Sequence, residues 1–561
     1  MEKPWLNHYE QAVPPSIDVP DKTLSQLLFD SSRKYPDRAA LVYYGRKISY
    51  RQLEDLSNQL ANALIRMGIQ KGDRVAIMLP NVPQCVISCF GALKAGAIVV
   101  QTNPLYVERE LEQQITDSGA ETIIALDLFY DRIERIKDRT PLKRIILCNA
   151  GDYLPLLLKL LYPLKAKREG QWVRVPRVPP VHDFVKMVKE AETNRPVVAV
   201  SPTDTALFQY TGGTTGVPKG VMLSHVNLVA NATQCRLWMP SLREGEEIFL
   251  GVIPFFHVYG LSTCMNLGLM AGATLVLLPK FKTQEVLKTI VKNRVTIFMG
   301  VQAMYVAINN FSEIGKYDLS SIRICISGAG ALHTEVQDRF EELTGGKLVE
   351  GYGLSEAAPV THCTPIFGVR KKGSIGFPFP GTDARVVDQE NRKRVLKPGE
   401  VGELAVRGPQ VMQGYWNKKD ETRNVLQDGW LYTGDMAKMD EEGYFYIVDR
   451  KKDMIKTKGE NVYPREIEEV LFRHPKVKDA VVVGLPDQFS VEAIKAYLVL
   501  KEGQKVSEEE ILGHCRKELA RFKVPKWVEF RDELPKTMVG KVLRRVLIDE
   551  EMKKQDRTSQ A

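Results

Sequence analysis

The chain has 561 residues, 44% hydrophobic and 26% charged, with a formal net charge of +9. That length holds several domains or subdomains around large cores, and the composition is that of a soluble globular protein. Lysine and arginine are interspersed with aspartate and glutamate, and no run of like charges is long enough to read as a nucleic-acid arm.

The mild basicity suits an anionic small molecule or an anionic membrane surface equally well. Eight cysteines are scattered without a CxxC pair. The closest two, Cys85 and Cys89, lie in the apolar run CVISCF, which reads as buried, reduced thiols and not as a zinc site or disulfide frame. The first residues, MEKPWLNHYEQ, carry no apolar signal region, and no stretch reaches the ~18 apolar residues that span a bilayer. The expected compartment is the cytoplasm.

From Thr23 to about Ile447 the chain alternates helical and strand patterns. Leu53–Met67 has apolar residues at helical spacing, Arg74–Leu79 is a β-rich run, CVISCFGALKAGA is helical, and IVVQTN is strand-like. Similar runs recur at Thr122–Ala125, Thr274–Leu278, Val295–Met299 and Arg323–Ser327. Strands separated by helices predict an α/β fold with parallel sheets and crossover connections. Tyr153–Arg168 (YLPLLLKLLYPLKAKR) is too short to span a membrane. Two readings stand: a buried helix, which is the first expectation, or a helix in a membrane interface with its lysines among headgroups.

Tyr210–Gly220 (YTGGTTGVPKG) combines four glycines and three threonines with Lys219. Such a loop presents backbone N–H groups and hydroxyls without bulk, which suits phosphate oxygens. It is not a Walker loop, because Lys219 precedes Gly220 and follows Pro218. Further on, GAGAL (Gly328–Leu332) follows the strand-like RICIS, and EGYGLSE (Glu350–Glu356) offers an aromatic face, a hydroxyl and a carboxylate. YTGD ends at Asp435 and IVDR at Arg450. These are parts for holding a nucleotide: an aromatic for the base, Asp435 for ribose hydroxyls, Glu356 for Mg²⁺. After Asp449 a charged, glycine-punctuated connector leads into a small α/β unit, with a boundary expected at Lys451–Lys452.

Together these segments resemble the adenylate-forming superfamily of acyl-CoA synthetases, luciferases and adenylation domains. The likeness runs from about Thr23 to Arg545. It rests on YTGGTTGVPKG, PFFHVYG (Pro254–Gly260), EGYGLSE, GWLYTGD, VDRKKDMIK, KGENVYPREIE and PKTMVGKVLRR, in that order. DGWLYTGDMAKMDEEGYFYIVDRKKDMIK looks most like bacterial long-chain fatty acid–CoA ligases. The resemblance implies a large N-terminal domain (1–450) of α/β subdomains with a barrel-like β subdomain, a hinge at 451–452, and a small mobile C-terminal domain (453–561).

The implied reaction has two halves. A carboxylate attacks the α-phosphorus of MgATP to give acyl-AMP and pyrophosphate, and the coenzyme A thiol then displaces AMP. The resemblance assigns roles as follows. Thr211, Gly212, Gly213, Thr214, Thr215, Gly216 and Lys219 embrace the β- and γ-phosphates. Tyr352 and the Gly328, Ala329, Gly330, Ala331 turn sandwich adenine, and Glu350, Gly351 and Gly353 also belong to the ATP/AMP site. Ser355 contacts phosphate, Glu356 holds Mg²⁺ with Thr211 nearby, and Asp435 and Arg450 grip the ribose. Lys541 serves the first half-reaction. Lys458 and Gly459 meet coenzyme A, Asn461 lies near AMP, and Lys452 is the hinge. His257 gates or lines the acyl tunnel, or fills a core position. The implied partners are fatty acid, ATP, Mg²⁺ and coenzyme A and no nucleic acid, with peripheral attachment to the inner face of a membrane and a homodimer as options.

Three positions depart from the pattern: Ser355 where a threonine is more usual, Met538 and Val539 in the lysine loop, and SVEAIKA (Ser490–Ala496) without its usual glycine. PFFHVYG carries no acid, which favours an uncharged acyl group. The runs Ser262–Gly272 and Phe298–Tyr305 supply glycine and methionine for a long chain, or ordinary core. An aryl- or cinnamate-type ligase and an acyl-AMP ligase serving a carrier protein are the alternatives. A nucleotide sensor without catalysis is disfavoured by Lys541.

Overall fold

The computed structural model describes residues 2–170, 172–173, 175–176, 178–211, 218–457, 460–487, 491–537 and 542–559. Two compact units divide the chain: Trp5–Asp383 with Val406–Leu431, and Ala384–Ala405 with Tyr432–Ala561 and the first residues. Each is described separately.

The first unit holds two large sheets. In the eight-stranded one, Ile98–Gln101, Arg74–Met78, Thr122–Leu126, Arg144–Cys148 and Val181–Asp183 lie side by side and parallel. Thr205–Thr211 joins them parallel to Ile98–Gln101. It then turns back as an antiparallel hairpin with Lys219–Ser224, against which Gly414–Tyr415 adds an edge. The runs are almost continuously apolar because helices cover both faces of a parallel sheet. Helix Pro83–Lys94 connects Arg74–Met78 to Ile98–Gln101 in this way and is buried along its whole length, while Tyr50–Arg66 leads from the nine-stranded sheet into Arg74–Met78.

The nine-stranded sheet runs through Ala39–Tyr43, Thr274–Leu277, Ile248–Gly251, Ile297–Gly300, Ile324–Ser327 and Lys347–Gly353, all parallel neighbours, with antiparallel edges at both ends. Its register matters for the site. Gly300 pairs with Ser327, and Ser327 with Glu350. The turn that follows Ser327 therefore lies beside the chain that follows Glu350, at the carboxyl ends of the strands, where α/β proteins place their ligands.

A third sheet is made of Asp383–Val387, Gly402–Arg407, Trp430–Met439 and Leu426–Gln427, with Leu426–Gln427 and Phe445–Arg450 both antiparallel to Trp430–Met439. The division between the units falls within its strands. The rest of the second unit is a mixed sheet of Glu460–Val462, Ile455–Thr457, Val491–Leu500, Val477–Asp487 and Trp527–Phe530, accompanied by helices Pro464–Phe472, Glu508–Glu518 and Arg544–Ser559. Arg544 ties this unit together through Glu468 at 2.7 Å and Asp453 at 3.0 Å.

All eight cysteines are free and buried, as the sequence indicates. The first expectation for Tyr153–Arg168, a buried helix, is overturned. Tyr153, Leu154 and Ala166 are buried, but helix Leu156–Arg168 holds its leucines in solvent. Among the described residues no helix is long and apolar enough to cross a membrane.

Candidate active site

The phosphate-loop candidates start where the hairpin ends. Thr211 and Lys219 are direct cross-strand partners, so the strands themselves fix the two ends of the loop. Gly220 lies under the Tyr210 ring, where a Cβ would come within 3.1 Å of Cζ. Gly212, Gly213, Thr214, Thr215 and Gly216 lie outside the described residues. The Lys219 ammonium pairs with the Glu421 carboxylate and sits 5.2 Å from the centre of the Tyr415 ring. Tyr415 in turn donates its hydroxyl to Glu356 Oε1 at 2.7 Å. The backbone fixes this arrangement from both sides. Tyr415 stands opposite Val221 in the sheet, and Met412 N–H donates to Glu356 O at 2.8 Å. Lysine, phenol and carboxylate thus form one connected set. Tyr415 and Glu421 escape a sequence reading because both come from far along the chain and neither belongs to a phosphate-binding pattern.

The adenine candidates meet at the ends of the neighbouring strands. Gly328 approaches the Tyr259 ring so closely that a Cβ would sit 2.9 Å from Cζ, and Ala329 takes a left-handed backbone at φ 64°. That conformation is uncommon for a residue with a Cβ and marks a tight turn. Gly330 is exposed with open space around it, and Ala331 is half-buried. Glu350 Oε2 accepts from Leu332 N–H at 3.1 Å and so pins the turn to the next strand. Gly353 is required for contact: a Cβ there would fall 2.2 Å from Pro359 O. The half-buried Tyr352 ring meets His362 edge-on at 5.8 Å. Burial pushes the His362 imidazole down to about 3, so it is neutral.

A cavity joins these residues to the acyl candidates. Its lining includes Gly328, Ala329, Tyr352 and Ser355 together with His257 and Met299. Among the described residues no aspartate, glutamate, lysine or arginine lines it. His257 is half-buried, with Nδ1 accepting from Tyr259 N–H at 3.2 Å. Tyr259 donates to Ile326 O at 2.8 Å and faces Gly300 O at 3.1 Å, locking PFFHVYG to the strand ends. Of the two methionine- and glycine-rich runs, Thr263 and Met299 reach the cavity; Cys264, Met265, Leu267, Phe298 and Tyr305 are ordinary core. Thr263 lies in a π-helical turn, Gly260–Asn266, a distortion that recurs at functional sites. Sequence reading missed Cys235, Trp238 and Met239, which enter the lining from helix His225–Trp238 and just beyond its end. Their only sequence signal is apolar helical spacing, which any core helix shows. The cavity volume is about 60 Å³. That is well below the ~300 Å³ at the lower end for ligand pockets, so a long chain needs flexible side chains such as Met239 and Met299 to move.

In the second unit, Asp435 and Arg450 are cross-strand partners with Arg450 Nε 3.3 Å from Asp435 Oδ1. Asp449 accepts from Arg450 N–H at 2.7 Å and from Arg465 N–H at 2.8 Å, holding the end of the strand to the start of helix Pro464–Phe472. Lys452 lies in the turn that follows, before strand Ile455–Thr457. Asn461 is in strand Glu460–Val462. Lys458, Gly459 and Lys541 lie outside the described residues, as do Met538, Val539 and Ser490.

Among the described residues no cluster of three or more metal-ligating side chains occurs. Mg²⁺ is commonly held by one or two carboxylates together with substrate phosphates. Glu356 supplies a hard, half-buried carboxylate of the right kind, with one oxygen already oriented by Tyr415.

A mixed α/β unit with a Gly/Thr hairpin loop, an aromatic-bearing turn and an apolar cavity at the strand ends defines a nucleotide-using, substrate-activating enzyme. The chain belongs to the AMP-binding enzyme family, which matches residues 28–416, with the AMP-binding enzyme C-terminal domain matching residues 466–541. It is similar to the long-chain-fatty-acid–CoA ligase of Bacillus subtilis (strain 168), 49% identical over 98% of both chains. Among solved structures it resembles ATP-bound MatB from Rhodopseudomonas palustris, with TM-score 0.83 and 29% identity over 94% of this chain and 98% of that one. It also resembles the anthranilate CoA ligase AuaEII in complex with anthranoyl-AMP, with TM-score 0.82 and 28% identity over 95% and 97% of the two chains.

Proposed function

We propose that this chain joins a long-chain fatty acid to coenzyme A at the expense of ATP, through an acyl-AMP intermediate, releasing AMP and pyrophosphate. The observation that supports the acyl specificity is the lining of the cavity: it is largely apolar, it is continuous with the Tyr352 turn, and among the described residues it has no acid to pair an amino group.

Both half-reactions build negative charge on oxygens, so preorganised cations and N–H donors are the expected source of rate. The Thr211–Lys219 loop holds the β- and γ-phosphates. Tyr352 and the Gly328–Ala331 turn sandwich adenine, Glu350, Gly351 and Gly353 also belong to the ATP/AMP site, and Ser355 contacts phosphate. Bound through Glu356, Mg²⁺ would neutralise phosphate charge. Asp435 and Arg450 take the ribose, with Asn461 near AMP. Lys541 neutralises the carboxylate and α-phosphate in the first half-reaction. Lys458 and Gly459 meet coenzyme A in the second. Lys452 is the hinge between a large domain, 1–450, and a small one, 453–561, which presents a different face in each half-reaction. Peripheral attachment to the inner face of a membrane belongs to the same reading, because a long-chain fatty acid partitions into bilayers.

Pyrophosphate release measured across acids of increasing length, with and without coenzyme A, tests the proposal. The expected result is highest kcat/KM on long-chain acids and AMP release that requires coenzyme A. A preference for aromatic acids, or AMP release indifferent to coenzyme A, overturns it.

A further inference from the structure

Helix Leu156–Arg168 exposes an unusual surface. Leu156, Leu157, Leu160 and Leu164 are 75%, 69%, 67% and 68% exposed, and Leu158 and Leu161 are exposed as well. On a helical wheel the four most exposed leucines, with Leu161, span about 140°. The opposite side is anchored. Ala166 is buried, Tyr162 packs over Gly151, and Lys159 Nζ donates to Asp152 O at 3.2 Å. The leucine face is therefore outward by construction, not frayed.

Charge is sorted along the same helix. Lys165, Lys167 and Arg168 gather in the last turn, and the helix contains no acidic residue. Just beyond it, Trp172 is 52% exposed, with the Lys167 ammonium 5.1 Å from its ring. An apolar stripe with tryptophan and cations at one end matches the layering of a bilayer surface, acyl chains below and anionic headgroups above. A protein partner fits less well. Thirteen residues of helix are about 20 Å long and about 10 Å wide, a footprint of roughly 200 Å², against about 800 Å² per partner in a stable interface.

We propose that helix Leu156–Arg168 is a membrane-docking element that lies in the plane of an anionic lipid surface, with its leucines among the acyl chains and its basic end among the headgroups. This deepens the fatty-acid reading of the active site and rests on it for its purpose, the collection of a bilayer-dissolved substrate. The docking itself is a property of the helix and is measured independently.

The test is co-sedimentation of the full chain with phosphatidylcholine vesicles containing about one third phosphatidylglycerol, beside pure phosphatidylcholine vesicles. The expected result is binding to the anionic vesicles that weakens as salt rises. Leu157→Ser with Leu160→Ser is expected to lower the vesicle partition coefficient ~10-fold or more, since each exposed leucine gives up its burial in lipid. Thermal midpoint and turnover of a soluble short-chain acid should stay within error of wild type. Lys165→Gln with Lys167→Gln is expected to lose the salt dependence and ~5-fold or more of the binding. No sedimentation of wild type at any salt concentration overturns the proposal. So does a leucine variant that still binds, or one that turns a dimer into a monomer while vesicle binding was never present, which would make the face a contact with a second copy. A wild type that binds vesicles but turns over no fatty acid retires the functional reading and leaves the docking element standing.

Discussion

Glu356 is the one carboxylate proposed to carry Mg²⁺, and among the described residues the Tyr415 phenol orients its side chain. The Tyr415 hydroxyl donates to it at 2.7 Å while the Tyr415 ring backs the Lys219 ammonium. A hydrogen bond to a charged group contributes ~1.5–3 kcal/mol net. Tyr415→Phe keeps the ring and removes the donor. It is expected to slow adenylate formation ~10-fold or more and to raise KM for MgATP, while sparing thioester formation from supplied acyl-AMP. Stopped pyrophosphate release at varied MgATP reads this directly, and wild-type kinetics in both would show that Tyr415 does not position Glu356. Lys541→Ala asks more of one residue. Loss of a key electrostatic donor costs ~3 kcal/mol or more in the transition state, so adenylate formation should all but vanish and thioester formation from acyl-AMP should largely survive. Equal damage to both half-reactions would remove Lys541 from the first.

At the scale of elements, the strands were legible because parallel, two-face-buried strands write themselves as continuous apolar runs. Arg74–Met78, Thr122–Leu126 and Ile324–Ser327 lie within a residue or so of their expected bounds. The turns were legible as glycine patterns, but their tolerance was not, since that depends on neighbours distant in sequence. Gly353 and Gly330 illustrate the difference. A Cβ at Gly353 would lie 2.2 Å from the backbone oxygen of Pro359, while at Gly330 nothing lies within 4 Å. Gly353→Ala must therefore move backbone and is expected to cost ~1–3 kcal/mol of stability, whereas Gly330→Ala should stay within about 0.5 kcal/mol of wild type. Equal thermal midpoints for the two variants would refute the distinction. The leucines of Leu156–Arg168 were misread as core for a related reason. Apolar composition records that a surface avoids water and not what covers it, and here the described residues leave it exposed.

For the whole molecule, buried histidines weaken the fold in acid, His225 and His362 most strongly, with His474 lowered in the same direction. Burial lowers His225 to about 4 and His362 to about 3. Below the ordinary value near 6.5 the unfolded chain takes up protons that the folded one refuses, so stability falls as pH falls through that value toward 4. Asp152 works in the opposite sense: burial raises it to about 6, so it favours the folded state as pH drops toward 4, and burial raises Asp127, Asp449 and Glu468 in the same direction, which blunts the histidine slope at its acid end. From pH 7 to about 5.5 His225 and His362 are each expected to cost ~1 kcal/mol, and His362→Gln should flatten that slope. An unchanged slope in the thermal midpoint would mean that His362 does not titrate on unfolding. The proposed hinge makes a kinetic claim on the same scale. Lys452 lies in a turn whose ends are held, Lys451 N–H donating to Gly434 O and Asp453 N–H to Arg450 O, each at 3.0 Å. Held ends concentrate any rotation on the residue between them. Proline at 452 fixes φ near −65° and disfavours helical backbone at Lys451, so it restricts rotation without adding or removing charge elsewhere in the site. Lys452→Pro is expected to leave pyrophosphate release in the first half-reaction within a few-fold of wild type and to slow coenzyme A-dependent AMP release ~10-fold or more. Single-turnover measurements separate the two steps. If both ran at the wild-type rate, the chain would have to turn somewhere other than Lys452.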